Sequence, residues 1–152
     1  MSQAPFDQPY RGGFVGDEHH YALTVYYEDT DAGGVVYHAN FIKFLERARS
    51  DMLRAAGADY IAVHRDGGGT YVVAEVHIHY RRPARLGDDL LILSRMTELH
   101  AASIVIQQRV MHGAEVVAEA SVTAAFVSAE GRPQRQPKEW IVKFRDLSSS
   151  SQ

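Results

Sequence analysis

The chain has 152 residues, of which 45% are hydrophobic and 23% charged, with a formal net charge of -3 at pH 7 and a pI near 6.2. This size and apolar content suit one compact domain, and the lack of a basic excess argues against a nucleic-acid partner held by phosphate neutralisation. Cysteine is absent, which excludes a disulfide framework, a thiolate nucleophile and a Cys-based zinc site, and no apolar run approaches the roughly 18 residues of a bilayer span.

Residues 1–18 mix Pro, Gly, Gln and charge without periodicity, and the tail 147–152 carries a run of serines before Gln152. Both are expected to be disordered, leaving a folded domain over 19–146. The first twenty residues lack the basic start and apolar stretch of a secretory signal, so a cytoplasmic protein is expected.

From His20 to Glu28, Tyr21, Leu23, Val25 and Tyr27 alternate on one face, which predicts a half-buried strand. The stretch EDTDAGGVVYHANF, Glu28 to Phe41, then packs three carboxylates, a glycine pair, a tyrosine and a histidine into one loop. Phe41, Phe44, Leu45, Ala48, Met52 and Ala55 follow at helical spacing, with Gly57 as the stop. Ile42 and Leu53 widen the apolar face, which predicts a central helix with a sheet around it. Glu46 and Arg49, at i and i+3, are expected as a solvated or interface pair.

Residues 58–69 form a connector with room for one helical turn before a run of glycines. Four further strands are predicted around Val72 to Tyr80, Leu90 to Met96, Ser103 to Met111 and Val116 to Phe126. The order strand, long helix, four strands defines an α+β domain with an antiparallel sheet on one helix.

A strand that ends in a glycine loop and feeds a helix directs unpaired backbone N–H groups at one point. A carbonyl oxygen there would be polarised, and negative charge developing on it would meet donors already in place. Asn40 is the candidate N-cap. Asp29 and Asp31 precede the mouth, where a carboxylate is favoured, and either is placed to attack a carbonyl or to activate a water. A thiol with a pKa near the cysteine value of about 8.5 leaves without the strong general acid that an amine requires, so this machinery suits a thioester.

YYEDTDAGGVVYHANFIKFLERARSDMLR, Tyr26 to Arg54, resembles the signature of the hotdog-fold acyl-CoA thioesterases of the 4-hydroxybenzoyl-CoA thioesterase type. HYRRPARLGDDLLI, His79 to Ile92, resembles that family's second recurring stretch. Within the group the chain is most similar to the bacterial thioesterases associated with the Tol-Pal envelope system. The resemblance implies a sheet wrapped around a long central helix, dimers with paired sheets, often dimers of dimers, and active sites at the dimer interface. It also implies hydrolysis of acyl-CoA or acyl-carrier-protein thioesters, with no metal or bound cofactor, coenzyme A entering as part of the substrate.

Carried over by position, Asp31 is the family's essential carboxylate, as nucleophile or general base. Tyr27 and His38 match supporting catalytic positions, and the backbone N–H near His38 polarises the thioester. Gly34, Val35 and Asn40 are the candidate substrate-binding positions at the mouth. Arg81, Arg82 and Arg85 are placed either to grip coenzyme A phosphates or to form a solvated, charge-crowded turn.

Plainer roles stand beside these: an Asx-turn for Asp31, a core-facing strand position for Tyr27, loop orientation for His38. His77 and His79 share a strand face, and exposure there is expected rather than metal ligation. The rival functions are a non-catalytic hotdog scaffold for an acyl carrier protein or an envelope-associated complex, and a hotdog dehydratase.

Overall fold

The computed structural model describes residues 3–149. Its elements are β1 (Gly13–Val15), β2 (Glu18–Thr24), a 3-10 turn (Tyr27–Asp29), α1 (His38–Ala55), α2 (Tyr60–Arg65), β3 (Thr70–Tyr80), β4 (Asp89–Leu99), β5 (Ser103–His112), β6 (Glu115–Val127) and α3 (Lys138–Ser149). The strands form one sheet in the order β1-β2-β4-β5-β6-β3, every pairing antiparallel. No helix among the described residues is long and apolar enough to cross a membrane.

The helix α1 packs on this sheet through two adjoining clusters. Phe41, Phe44, Leu45 and Ala48 meet Leu90, Ile92, Val110 and Val122, while Met52 and Leu53 meet Ile104, Ile106 and Phe126. The helix ends as its sequence requires: Gly57 takes φ +87°, the Ala58 N–H reaches back to the Leu53 carbonyl and the Gly57 N–H to that of Arg54.

Several boundaries differ from expectation. The alternation through Tyr27 does not continue as strand: β2 ends at Thr24, and the Asp29 carboxylate accepts the Tyr26 N–H at 2.9 Å, closing a turn that leaves Tyr27 exposed. Asn40 is not the N-cap. The helix begins at His38 after Tyr37, and Asn40 lies in the first turn with its side-chain amide donating to the Asp29 carbonyl at 2.8 Å.

Within 1–18, Gly13–Val15 pairs with β2 as strand β1, and the Gly12 N–H donates to Asp51 on α1 at 2.9 Å. At the other end, α3 runs through Leu147 to Ser149, and Trp140 and Phe144 bury themselves in the second cluster. Burial of Phe144 alone is worth about 1.5–3 kcal/mol. Residues 150–152 of the serine tail lie outside the described residues.

The strand β3 occupies a sheet edge, and its predicted core face is largely open: Val72, Val76 and Tyr80 are all exposed, as is Val73 beside a bulge. Edge position decides this, since no further strand covers it.

Candidate active site

The loop between the 3-10 turn and α1 folds tightly on itself. The Asp31 N–H donates to the Val35 carbonyl at 2.9 Å, and the Gly34 N–H to the Asp31 carbonyl at 3.1 Å. Gly34 takes φ +78°, a conformation glycine adopts without a steric cost. Thr30 bridges to Val36, so the loop has the form of a small hairpin whose tip carries Asp31, Ala32, Gly33 and Gly34, all exposed.

The two aspartates of this loop are used differently. Asp29 is tied into the scaffold: its carboxylate holds the Tyr26 N–H, and its carbonyl accepts from both the Tyr37 N–H and the Asn40 amide. Asp31 forms an Asx-turn, with Oδ1 accepting the Gly33 N–H at 2.8 Å. Its Oδ2 has no hydrogen-bond partner among the described residues, and the residue is exposed.

At the start of α1, the N–H groups of His38 and Ala39 have no acceptor among the described residues. They are the orphan donors of a helix end, carrying its partial positive charge. The His38 ring is exposed and lies between two tyrosines, 4.7 Å from the Tyr37 ring and 6.0 Å from that of Tyr80, centroid to centroid. The Tyr80 hydroxyl donates to the His38 carbonyl at 3.1 Å, pinning the first turn of α1 to the end of β3. Sequence reasoning gave Tyr80 no place at the site, since only the fold joins positions 38 and 80.

Tyr27 borders a separate open pocket of 540 Å³ with Thr24, Tyr26, Glu28 and Leu86. No hydrogen bond joins Tyr27's hydroxyl to the Asp31 loop among the described residues.

The arginine cluster divides. Arg81 pairs with Glu119 at 2.7 Å and Arg82 with Glu115 at 3.7 Å, both on β6. Arg85 has no carboxylate partner within ion-pair range among the described residues, and its backbone bridges to Val35 beside the loop. The structure thus brings Asp31, Gly34, Val35 and Arg85 together with the α1 mouth, and directs Arg81 and Arg82 to β6. His77 lies beside Glu75, exposed, and no cluster of three or more His, Cys, Asp or Glu side chains forms among the described residues.

The expected pairing of Glu46 with Arg49 does not form. Glu46 accepts from Ser50 Oγ at 3.0 Å, while Arg49 is buried and donates to Gln108 Oε1 at 3.1 Å. Arg49 lies four residues from both Leu45 and Leu53, so helical spacing already placed it on the core face.

The chain thus places a carboxylate on a glycine loop at the mouth of a helix that packs on an antiparallel sheet. The profile of the thioesterase-like superfamily matches residues 25–144, and the chain belongs to that superfamily. It is 36% identical over 128 residues to the acyl-CoA thioesterase YbgC of Haemophilus influenzae, covering 84% of this chain and 94% of that protein. It is 38% identical over 125 residues to the acyl-CoA thioester hydrolase YbgC of Escherichia coli, covering 81% and 92%. The crystal structure of a probable thioesterase from Bartonella henselae superposes with a TM-score of 0.75 at 35% identity, covering 79% of this chain and 99% of that one.

Proposed function

We propose that this chain, a thioester hydrolase of the acyl-CoA class, cleaves its substrate with Asp31 as general base and the head of α1 as oxyanion site. The observation that carries the assignment is the division of labour between the aspartates. Asp29 is spent on the scaffold, whereas Asp31 is exposed, held by one oxygen, with no partner on the other among the described residues.

In this reading Asp31 Oδ2 takes a proton from a water whose oxygen bonds to the thioester carbonyl carbon. The oxyanion that forms faces the His38 and Ala39 N–H groups, donors fixed before the reaction begins. Collapse breaks the C–S bond, the thiolate leaves, and the proton held by Asp31 passes to it. His38 and Tyr27 take supporting positions, and Gly34, Val35 and Asn40 shape the mouth. Arg85 is the first cation available to a coenzyme A phosphate, because Arg81 and Arg82 pair with glutamates on β6.

The sheet curves around α1, and two copies pair through their β3 edges, completing the site in a cytoplasmic dimer or dimer of dimers. Exposed Val72, Val73, Val76 and Tyr80 on an edge strand with one open side support this pairing. Carrier-protein thioesters, and work beside the Tol-Pal system, follow from the motif's resemblance.

The test is colorimetric thiol release from a panel of acyl-CoA thioesters by wild type and Asp31→Asn. The variant should lose roughly 10²–10⁴-fold in kcat/KM while melting as wild type does. Near-normal turnover by Asp31→Asn would refute the assignment.

A further inference from the structure

Arg49 is a buried cation without a buried anion. Arg49 is 9% exposed and lines a cavity of 240 Å³ between α1 and β3, with Leu53, Val72, Val73 and Ile106 as apolar walls and Glu46 and Ser50 on its α1 side. Its single hydrogen bond among the described residues goes to Gln108 Oε1, which leaves four of its five N–H donors without a protein acceptor. Glu46, which lines the same cavity and accepts from Ser50, favours the Arg49 charge from the exposed side but forms no ion pair with it among the described residues.

Gln108 cannot be replaced by a better partner through a simple amide flip. Its Nε2 donates to the Leu45 carbonyl at 3.1 Å and to Ser94 Oγ at 3.0 Å, which fixes Oε1 toward Arg49. Burial draws the guanidinium's pKa down from its ordinary value. An anion entering the cavity would pair the charge that burial disfavours.

The cavity and the site lie on the same two elements, α1 and β3. Tyr80, at one end of β3, holds the His38 carbonyl and packs its ring on Phe41, while Tyr71 to Val73, at the other end, face Arg49 across the cavity. The helix α1 and strand β3 therefore meet at the helix mouth and again at Arg49, about 16 Å apart along the helix axis. A volume of 240 Å³ holds the end of an acyl group rather than a whole acyl-CoA.

We propose that the acyl group runs along the α1–β3 border and that Arg49 terminates this channel, selecting acyl thioesters whose far end carries a carboxylate. The proposal rests on the reading of Asp31 and the helix mouth as the thioester site. A guanidinium suits a carboxylate through its planar fork of donors, and the apolar walls accept the methylene chain between. Arg49 binds the substrate at a distance from the reacting atoms, so its effect falls on KM.

The experiment compares thiol release from two coenzyme A thioesters of equal chain length, one of a long dicarboxylic acid and one of the plain fatty acid. Wild type, Arg49→Met and Arg49→Lys are assayed in parallel, with mass measured by light scattering. Wild type should favour the ω-carboxyl substrate, and that preference should fall at least about tenfold in Arg49→Met, through KM, with partial recovery in Arg49→Lys. Inhibition of wild type by the free dicarboxylate should likewise exceed that by the monocarboxylate, a readout that survives a variant's failure to fold.

An unchanged preference across all three proteins would overturn the proposal, as would a wild type that favours the plain chain. Altered mass in Arg49→Met with no change in preference would overturn it too, giving the cation to a subunit contact. Turnover of the plain chain alone spares the thioesterase reading and removes only the Arg49 assignment, whereas no turnover of either thioester removes both.

Discussion

Gly33 holds Asp31 in place: its N–H donates to Oδ1 at 2.8 Å, and a Cβ at position 33 would stand 3.2 Å from that same oxygen. Gly33 has no positive φ, so alanine fits the backbone and only displaces the carboxylate. Gly33→Ala should therefore leave stability within about 0.5 kcal/mol of wild type while lowering kcat/KM roughly tenfold to a hundredfold. Thermal melts and thiol-release kinetics on the same preparation check both halves. A stability loss with unchanged kinetics would leave the loop a purely structural turn.

The N-terminal segment is anchored by a buried pair. His19 Nε2 lies 2.8 Å from Asp51 Oδ2, and its Nδ1 is buried with no partner. Burial lowers the His19 pKa from 6.5, outweighing the raising effect of the Asp51 bond; Arg54 and His20 add smaller lowering contributions. Protonation would also create a second N–H facing no acceptor. At Asp51, burial opposes ionisation, but hydrogen bonds from Arg54, His19 and the Gly12 N–H together hold its pKa below 3.8.

Both groups carry depressed pKa values, so the unfolded chain binds more protons as acid is added. The His19 contribution is fully present above about pH 6.5 and is lost as pH falls from there toward its folded pKa; that of Asp51 is lost only below about 3.8. The wild-type melting temperature should drop between pH 7 and pH 5, and His19→Gln should flatten that slope while costing about 1–3 kcal/mol at pH 7. An equally steep slope in the variant would assign the effect to other groups.

What could be read from the sequence was local. The 3.6 period from Phe41 to Met52 and the alternation in β4 to β6 follow from one element facing one core, and each predicted element is found there. The glycine loop was legible because Asp31, Gly33 and Gly34 bond within five residues of one another. Tyr27 misled because its alternation competes with a single hydrogen bond, from the Tyr26 N–H to Asp29, that no period reveals.

Other features depended on distant partners. The open face of β3 follows from the strand order, and the ion pairs of Arg81 and Arg82 from glutamates on β6. Arg49 finds Gln108 across 59 positions of sequence. The helix α3 was missed although Trp140, Phe144 and Leu147 recur at helical spacing, since that face is short and set among charges.

The β3 edge makes a separate prediction about assembly. Val76 is exposed on an edge strand of 11 residues, where it stands opposite Val122 of β6 and has no strand on its other side. A lysine at an edge blocks strand pairing without removing a core contact. Val76→Lys should halve the mass seen by light scattering, change stability by about 0.5 kcal/mol or less within the subunit, and reduce thiol release with the loss of the interface. An unaltered mass would place the contact elsewhere.

Gln108 gives the sharpest stability prediction, because it is 1% exposed and serves three partners at once. Gln108→Leu keeps the volume but strips Arg49 of its protein acceptor and Ser94 of its donor. The expected cost is about 3 kcal/mol, a fall of about 10 °C in Tm for a chain of this size. Gln108→Glu separates the two roles of the amide. It offers Arg49 a carboxylate while removing the donor to Leu45 and Ser94, so it should fold less stably than wild type and yet pair the cation internally. If Arg49 reads an anionic acyl terminus, that pairing should erase the preference for the ω-carboxyl thioester in the same assay. Retention of the preference in Gln108→Glu would mean that the selecting charge lies outside this cavity.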